Sequence, residues 1–154
     1  FNSISVHFSE IFETLFPGGK GSLSFTDKTN ILETGIEISV QPRGKKVKKL
    51  SLLSGGERSL AAIAFLFSIF KSFPSPFYIL DEVEAALDDA NLHRMINLLD
   101  KIKEDAQYII VTHQQQTMHA GDVLYGVTME PGSGSRVFTK TKEDFESLIG
   151  TNEK

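Results

Sequence analysis

Apolar residues at the start of the chain recur on one face of a predicted helix. They are separated by alternating steps of three and four residues and are Phe1, Ile4, Phe8, Ile11 and Leu15. A Pro-Gly-Gly turn at 17–19 then ends the helix. The spacing fits two structures: an amphipathic helix packed on its own domain, or the last turns of a coiled coil that enters the domain here.

Between residues 21 and 40 the pattern changes to the alternation of β-strands. The runs GSLSFTD and GIEISV predict two strands, with Ile36, Ile38 and Val40 sharing one face of the second. A polar turn, QPRGKKVKK at 41–49, follows them. We expect these first strands to form a small antiparallel part of the fold.

From residue 57 onward, long apolar segments alternate with turn signals. A helix over about 57–72 is apolar nearly all the way round and is predicted to be buried; SFPSP at 72–76 ends it. The apolar strands FYIL at 77–80 and QYIIVTH at 107–113 flank a helix over about 90–104 and are predicted to be buried on both faces. This alternation predicts an α/β fold with a mostly parallel core sheet. A short helix near 114–119, strands near 122–129 and 135–140, and a helix near 142–150 complete the prediction.

Composition narrows the classes of protein. The 154 residues, 40% hydrophobic, suit one globular domain. Because the net charge is −4, any contact with nucleic acid must be local. The absence of cysteine excludes disulfides and thiolate metal sites and fits a reducing cytoplasm. The longest apolar run, 61–70, is too short for a bilayer, which needs about 20 residues, so we expect no membrane partner. The chain begins with Phe1 instead of methionine, so we expect a fragment or a processed product.

The stretch LSGGER at 53–58 combines a helix cap with two glycines. Ser54 can cap the helix that follows, and Gly55 and Gly56 allow backbone N–H groups to approach an anion closely. The helix dipole also favours negative charge at this end. A capped helix after a tight turn explains the same residues without a ligand.

Acidic residues follow the first buried strand, where ligands bind in α/β sheets. Two adjacent carboxylates, Asp81 and Glu82, suit Mg²⁺ beside a triphosphate: Asp81 would hold the metal shell and Glu82 would orient the attacking water. Two solvated acids at a strand end are the simpler explanation. A few residues on, Asp88 or Asp89 is a predicted helix N-cap.

The second buried strand ends in VTHQ at 111–114. His113 would donate a hydrogen bond to a γ-phosphate, although a lone histidine at a strand end is also an ordinary structural residue. Each pattern is ambiguous alone. Their order is more specific: LSGGE, a buried helix, four apolar residues with Asp-Glu, ALD, a helix, a strand and a histidine is the arrangement of ATP-binding-cassette ATPases.

Three longer stretches resemble the C-terminal head segment of bacterial SMC proteins, the structural-maintenance-of-chromosomes ATPases. They are LSLLSGGERSLAAIAFLFSIF, ILDEVEAALDDAN and VTHQQQTMHAGDVLYGVTM, and the resemblance covers nearly the whole chain. Glu84 stands where that family often has aspartate. The implied fold is the C-terminal lobe of an ABC-type ATPase head. Residues 1–16 would end a returning coiled-coil helix, 17–50 would form strands and the basic turn, and 51–150 would carry the motifs.

The resemblance implies a role for each motif. Asp81 resembles the Walker B acid that holds Mg²⁺ through water, Glu82 the catalytic glutamate and His113 the switch histidine. The signature motif would bind ATP on the opposite head through Ser54, Gly55, Gly56 and Glu57. The D-loop would be Ala85, Ala86, Leu87 and Asp88.

No stretch of the chain fits a P-loop, G-x-x-x-x-G-K-[ST] between a strand and a helix. The nearest, PGGKGS at 17–22, follows a predicted helix, and we interpret it as a turn. In SMC proteins the N-terminal head segment supplies the P-loop. The resemblance therefore implies an ATP hydrolase that needs this segment, with this chain inactive alone. It also implies an ATP-dependent dimer with a second SMC head, and a kleisin subunit as partner.

DNA contact is a separate hypothesis, based on a run of basic residues: Arg43, Lys45, Lys46, Lys48 and Lys49. These side chains either surround a solvated hairpin end or contact DNA phosphates without sequence specificity. The resemblance implies a cytoplasmic, nucleoid-associated role in chromosome condensation and segregation. Three alternatives stay open: the head of an SMC-like repair ATPase, the nucleotide-binding subunit of an ABC transporter, and a kleisin-binding module that never binds ATP.

Overall fold

The computed structural model describes residues 1–44, 46, 48–129, 132 and 134–144, without the side chain of Lys48. The chain divides into two compact units, Phe1–Val111 and Thr112–Lys154. The strongest candidate motifs, except His113, lie in the first unit. None of the helices in the described ranges is long and apolar enough to cross a bilayer.

The first unit opens with α1 (Asn2–Leu15), which packs on α2 (Gly55–Ser72) and on β1 (Lys20–Phe25). Of the five apolar positions that predicted this helix, Phe8, Ile11 and Leu15 are buried in the core of their own domain. Polar contacts add to the α1–α2 packing, including a 2.8 Å ion pair between Lys71 Nζ and Glu10 Oε2. Packing on its own domain therefore accounts for these three positions; continuation into a coiled coil stays a prediction.

A three-stranded antiparallel sheet follows, formed by β1, β2 (Ile36–Gln41) and β3 (Lys48–Lys49) in that order. The β1 strand can approach α1 closely because position 21 has no side chain. A Cβ at Gly21 would lie 2.6 Å from Phe12 Cγ and 2.9 Å from Phe8 Cε1. The predicted antiparallel part is confirmed, and PGGKGS forms a turn and the start of β1.

The predicted strand–helix–strand unit is formed by β4 (Phe77–Asp81), α3 (Asp89–Ile102) and β5 (Gln107–Val111). The two strands pair in parallel, with Ile79 opposite Ile109 and Asp81 opposite Val111. The α/β class is confirmed. Within the described residues, the predicted parallel core sheet is represented by the two strands β4 and β5. The other strand pairs in this part of the chain are antiparallel.

One face of the β4–β5 pair is covered by α2 through aromatic contacts. The rings of Tyr78 and Phe70 stack at 4.1 Å between centroids, and those of Tyr78 and Tyr108 at 5.3 Å. The Tyr78 hydroxyl accepts from the Ser75 N–H at 2.8 Å and donates to the Phe70 carbonyl at 3.2 Å, which satisfies the last turn of α2. Burial of the Tyr108 side chain on this face raises the pKa of its hydroxyl to about 12, and the neighbouring Tyr78 contributes to the increase.

The other face of the β4–β5 pair is exposed, so the prediction that both strands are buried on both faces is wrong for this chain. Phe77, Ile79, Ile109 and Val111 are 51%, 63%, 46% and 51% exposed. Period-2 geometry places Ile79 and Ile109 side by side on this face. We refer to these four side chains as the open sheet face. The apolar sequences of β4 and β5 thus form a face that is suited to burial but is exposed in this chain.

The second unit contains α4 (Gln115–Ala120) and an antiparallel hairpin of β6 (Val123–Met129) and β7 (Ser135–Thr141). The Phe138 ring lies over Gly126, where an added Cβ would overlap it. A helical stretch begins after Thr141, whose hydroxyl donates to Asp144 Oδ2 at 3.0 Å, and this bond lowers the pKa of Asp144. Phe145, Leu148 and Ile149 of the predicted last helix lie outside the described residues.

Candidate functional site

The signature motif opens α2 with a reciprocal capping box. Ser54 is the N-cap: its Oγ accepts from the Glu57 N–H at 3.4 Å, and the Glu57 carboxylate accepts from the Ser54 N–H at 3.3 Å. The Ser54 hydroxyl also donates to Glu57 Oε2 at 3.0 Å. These bonds pair Ser54 with Glu57, and the Ser54 hydroxyl would have to turn away from Glu57 to donate to a phosphate.

The two signature glycines face different surroundings. A Cβ added at Gly55 would meet nothing within 4 Å, whereas one at Gly56 would lie 3.0 Å from Asn91 Nδ2 and 3.4 Å from Asp88 Oδ2. The capping box uses the Glu57 N–H, and the Gly55 and Gly56 amides are among those that a helix leaves unpaired at its start. Gly55 therefore leaves room for an anion to approach these amides, and Gly56 also allows the D-loop to pack closely.

The acidic pair lies at the carboxyl end of β4, as predicted. Asp81 is the last residue of the strand, and both carboxylate-bearing residues are exposed. Glu82 has a left-handed backbone conformation, φ 46°, which costs a residue with a side chain about 1–2 kcal/mol. Its N–H donates to the Val111 carbonyl at 3.0 Å. The end of β5 therefore fixes a strained turn that sets the direction of the Glu82 side chain.

The D-loop is a series of tight turns between Glu82 and α3. Backbone bonds run from the Ala85 N–H to the Glu82 carbonyl at 3.1 Å and from the Leu87 N–H to the Glu84 carbonyl at 2.9 Å. Ala85 and Ala86 are exposed, and Glu84 is buried. The loop ends in the predicted N-cap: Asp88 Oδ1 accepts from the Asn91 N–H at 2.8 Å.

His113 belongs to the second unit and follows β5 by two residues. Within that unit, its Nε2 lies 3.5 Å from Gln114 Nε2. The structure thus brings the signature motif and the end of the D-loop together in the first unit, whereas the role of His113 stays a prediction.

The basic run is only partly described. Arg43 and Lys46 are exposed at the turn between β2 and β3, and Lys49 forms a 2.6 Å ion pair with Glu37. Lys45 and the side chain of Lys48 lie outside the part of the chain that the structure describes. Among the cations of the run whose side chains the structure describes, Lys49 is therefore paired on its own sheet.

Mg²⁺ fits the acidic pair only as a metal shared with a nucleotide. In the described part of the chain, no three His, Asp or Glu side chains are grouped as a metal site. Mg²⁺ in nucleotide enzymes is typically held by one or two carboxylates, water and substrate phosphates. An exposed carboxylate such as Asp81 at a strand end is suited to that arrangement.

Sequence-based reasoning missed one residue of this site and the backbone conformation of another. Asn91 is only 6% exposed and lies against Gly56. Its position three residues after the Asp88 cap is a signal, but that signal indicates a helix start and not a contact with another motif. The left-handed turn at Glu82 had no signal, since only glycine, asparagine or aspartate would have indicated it.

Comparison with known proteins identifies the family. The family described as "RecF/RecN/SMC N terminal domain" matches residues 11–136. Chromosome partition protein Smc of Mycolicibacterium paratuberculosis is 55% identical over 130 residues, which are 84% of this chain and 11% of that protein. The chain thus spans about a tenth of the length of this curated relative.

Solved structures similar to this chain belong to the same family. One, described as "Structural biochemistry of ATP-driven dimerization and DNA stimulated activation of SMC ATPases", is 38% identical with a TM-score of 0.84, over 99% of this chain and 92% of that one. Another, an SmcHead bound to the C-winged helix domain of ScpA, is 40% identical with a TM-score of 0.83, over 93% of this chain and 44% of that one. The chain belongs to the bacterial SMC family and corresponds to the C-terminal segment of its ABC-type ATPase head.

Proposed function

We propose that this chain is the C-terminal half of the ATPase head of a chromosome condensation and segregation protein. The observation that carries the proposal is the signature motif, ordered by the Ser54–Glu57 capping box and open at Gly55. The exposed pair Asp81 and Glu82 supports a second part of an ABC-type site. Neither part encloses a nucleotide, so each would act on ATP that is held elsewhere.

The division of roles follows from this geometry. Asp81 and Glu82 would act on ATP bound to the P-loop of the same head. Ser54, Gly55 and Gly56 would contact the γ-phosphate of ATP on a second head. Asp81 would hold Mg²⁺, which neutralises charge on the phosphates. Glu82 would accept a hydrogen bond from the attacking water and orient it. ATP would join two heads, and loss of the shared phosphate would release them. We propose that this cycle takes place on the bacterial nucleoid.

The open sheet face is the proposed contact with the N-terminal head segment. Its four apolar side chains, Phe77, Ile79, Ile109 and Val111, lie along the face of the strand pair that ends at Asp81, with Val111 directly opposite Asp81. Covering them would be favourable by about 25 cal/mol per Å² of apolar surface. A segment that carries the P-loop would then bring its nucleotide to the carboxyl end of β4, where ligands bind in α/β sheets.

Replacing Ile79 by aspartate should weaken association with the N-terminal head segment by at least about tenfold, because burying an unpaired carboxylate is costly. Binding of the purified segment to the chain, measured by titration calorimetry, tests this. Leu32→Asp is the matched control, because Leu32 is 97% exposed and lies on the β1–β2 loop. Equal binding by Ile79→Asp and the control would refute the proposed contact.

The β6–β7 hairpin is the proposed docking surface for a kleisin winged-helix domain. One of its faces carries exposed apolar side chains, including Tyr125, Val127 and Val137, with Val127 directly opposite Val137. A related head is bound to the C-winged helix domain of ScpA, which supports this class of partner. An apolar strand face exposed in this way is typical of a binding surface.

Val127→Asp should reduce binding of a ScpA-type C-terminal winged-helix domain by at least about tenfold, since a carboxylate would be buried against apolar groups. Thr128→Asp is the control, because the neighbouring residue points to the opposite face of the hairpin. Pull-down titration with the winged-helix domain is the measurement. Loss of binding in the control alone would show that the opposite face is the docking surface.

Non-specific DNA contact is proposed for the basic run Arg43, Lys45, Lys46, Lys48 and Lys49. Arg43 and Lys46 are exposed, and the description of a related SMC ATPase structure refers to DNA-stimulated activation. Such contact would weaken steeply with salt.

Nucleotide binding tests the proposed function directly. The chain mixed with its N-terminal head segment should bind fluorescent ATP in the presence of Mg²⁺, and the chain alone should not. Tight binding by the chain alone would contradict the division of the site between two segments.

A further inference from the structure

The N-termini of α2 and α3 meet at Gly56, and the contact involves a residue outside the recognised motifs. Asn91 Nδ2 and Asp88 Oδ2 would lie 3.0 Å and 3.4 Å from a Cβ at Gly56. Both side chains thus lie so near this part of the signature motif that an added Cβ would require Asn91 to shift by a few tenths of an ångström. The signature motif and the end of the D-loop are therefore in direct contact within one chain.

Asn91 is held in this position by its neighbours. It is 6% exposed, its N–H donates to Asp88 Oδ1 at 2.8 Å, and its Oδ1 accepts from Arg94 Nη1 at 3.3 Å. Because Arg94 can only donate, the carbonyl side of the amide faces Arg94 and the NH₂ side faces Gly56. A shift of Gly56 would consequently displace the side chains of both Asn91 and Asp88.

From Asp88 the chain leads back to the acidic pair through short turns. The Leu87 N–H bonds to the Glu84 carbonyl, and the Ala85 N–H bonds to the Glu82 carbonyl. Glu84, in the middle of this segment, is buried, and the Glu82 N–H in its left-handed turn bonds to the Val111 carbonyl. Only five residues thus separate Glu82 from the Asp88 cap, and their turns are more compact than an extended chain.

We propose that Asn91 is a positioning residue that couples the signature motif to Glu82 through Asp88 and the D-loop. The inference rests on the proposed function, in which Gly55 and Gly56 contact the nucleotide of the opposite head. Seating that phosphate would fix Gly56 against Asn91, and the D-loop would then hold the Glu82 turn in its productive position. Each head would hydrolyse its own ATP efficiently only while its signature motif is engaged with the other nucleotide.

The test uses the head reconstituted from this chain and the N-terminal head segment. Asn91→Asp keeps the size of the side chain but places a carboxylate oxygen beside Asp88 and Gly56. ATP turnover per engaged dimer should fall about tenfold, which is within the range for residues that carry coupling between sites. ATP-dependent dimerisation, measured in a Glu82→Gln background, should change less than about threefold. Asn97→Asp, on an exposed position of the same helix, should change neither.

A second pair of variants keeps the test decisive if Asn91→Asp fails to fold. Gly56→Ala should slow turnover by crowding Asn91, and Asn91→Ala should slow it by removing the coupling side chain. Because both act on one pathway, the double variant should be no slower than the slower single variant. Defects that multiply independently would overturn the coupling, as would equal losses of turnover and dimerisation in Asn91→Asp. An unmodified reconstituted head that neither dimerises nor hydrolyses ATP would instead refute the proposed function on which the inference rests.

Discussion

Glu82→Gln in the reconstituted head should lower ATP turnover by about a hundredfold or more, because general-base assistance contributes about 10²–10⁴-fold to such reactions. Glutamine has nearly the shape of glutamate, so the left-handed turn at φ 46° and the bond to Val111 should persist. Binding of ATP and engagement of two heads should therefore continue without hydrolysis. The engaged dimer should accumulate, as seen by light scattering coupled to size-exclusion chromatography with MgATP.

Glu104→Gln is the matched control, since Glu104 is exposed in the turn after α3. It should leave both turnover and the monomer–dimer equilibrium unchanged. A Glu82→Gln head that hydrolyses ATP at the normal rate would show that another group orients the water, and the role assigned to Glu82 would be wrong.

Ser54→Arg should abolish ATP-dependent dimerisation. The substitution removes both hydrogen bonds of the Ser54 hydroxyl, to the Glu57 N–H and to the Glu57 carboxylate, and places a long side chain where the opposite γ-phosphate would sit. Loss of an N-cap costs about 0.5–2 kcal/mol, which leaves the helix formed when its apolar face is buried. The expected defect is therefore steric and local, with ATP still bound to each separate head.

Analytical ultracentrifugation with MgATP in a Glu82→Gln background measures this effect. The control is Ser24→Arg, which makes the same change at an exposed position of β1. Ser24→Arg heads should dimerise fully. Dimerisation of Ser54→Arg heads to the same extent as the control would contradict the assignment of LSGGE as the motif that contacts the second nucleotide.

Much of this fold could be predicted from local signals in the sequence. Turn residues and caps placed the elements to within a few residues: SFPSP ends α2 at Ser72, and Asp88 caps α3. The order of motifs also placed Asp81 and Glu82 at the end of a parallel strand, because an apolar run followed by acids is typical of that position.

Other features depend on interactions that no local pattern records. The apolar sequences of β4 and β5 predict burial on both faces, yet Ile79 and Ile109 are exposed, because burial depends on which elements are present to cover a sheet. The packing of Asn91 against Gly56 depends on the angle between two helices that are far apart in sequence. The left-handed turn at Glu82 depends on a hydrogen bond from β5.

The most direct test of the split, composite site is the ATPase activity of this chain alone and after addition or fusion of its N-terminal head segment. We predict no turnover by the chain alone and clear, Mg²⁺-dependent turnover by the two together. Turnover by the chain alone would contradict the account, because it would require a P-loop that we do not find here. A well-folded complex without turnover would equally contradict it and would favour a kleisin-binding module.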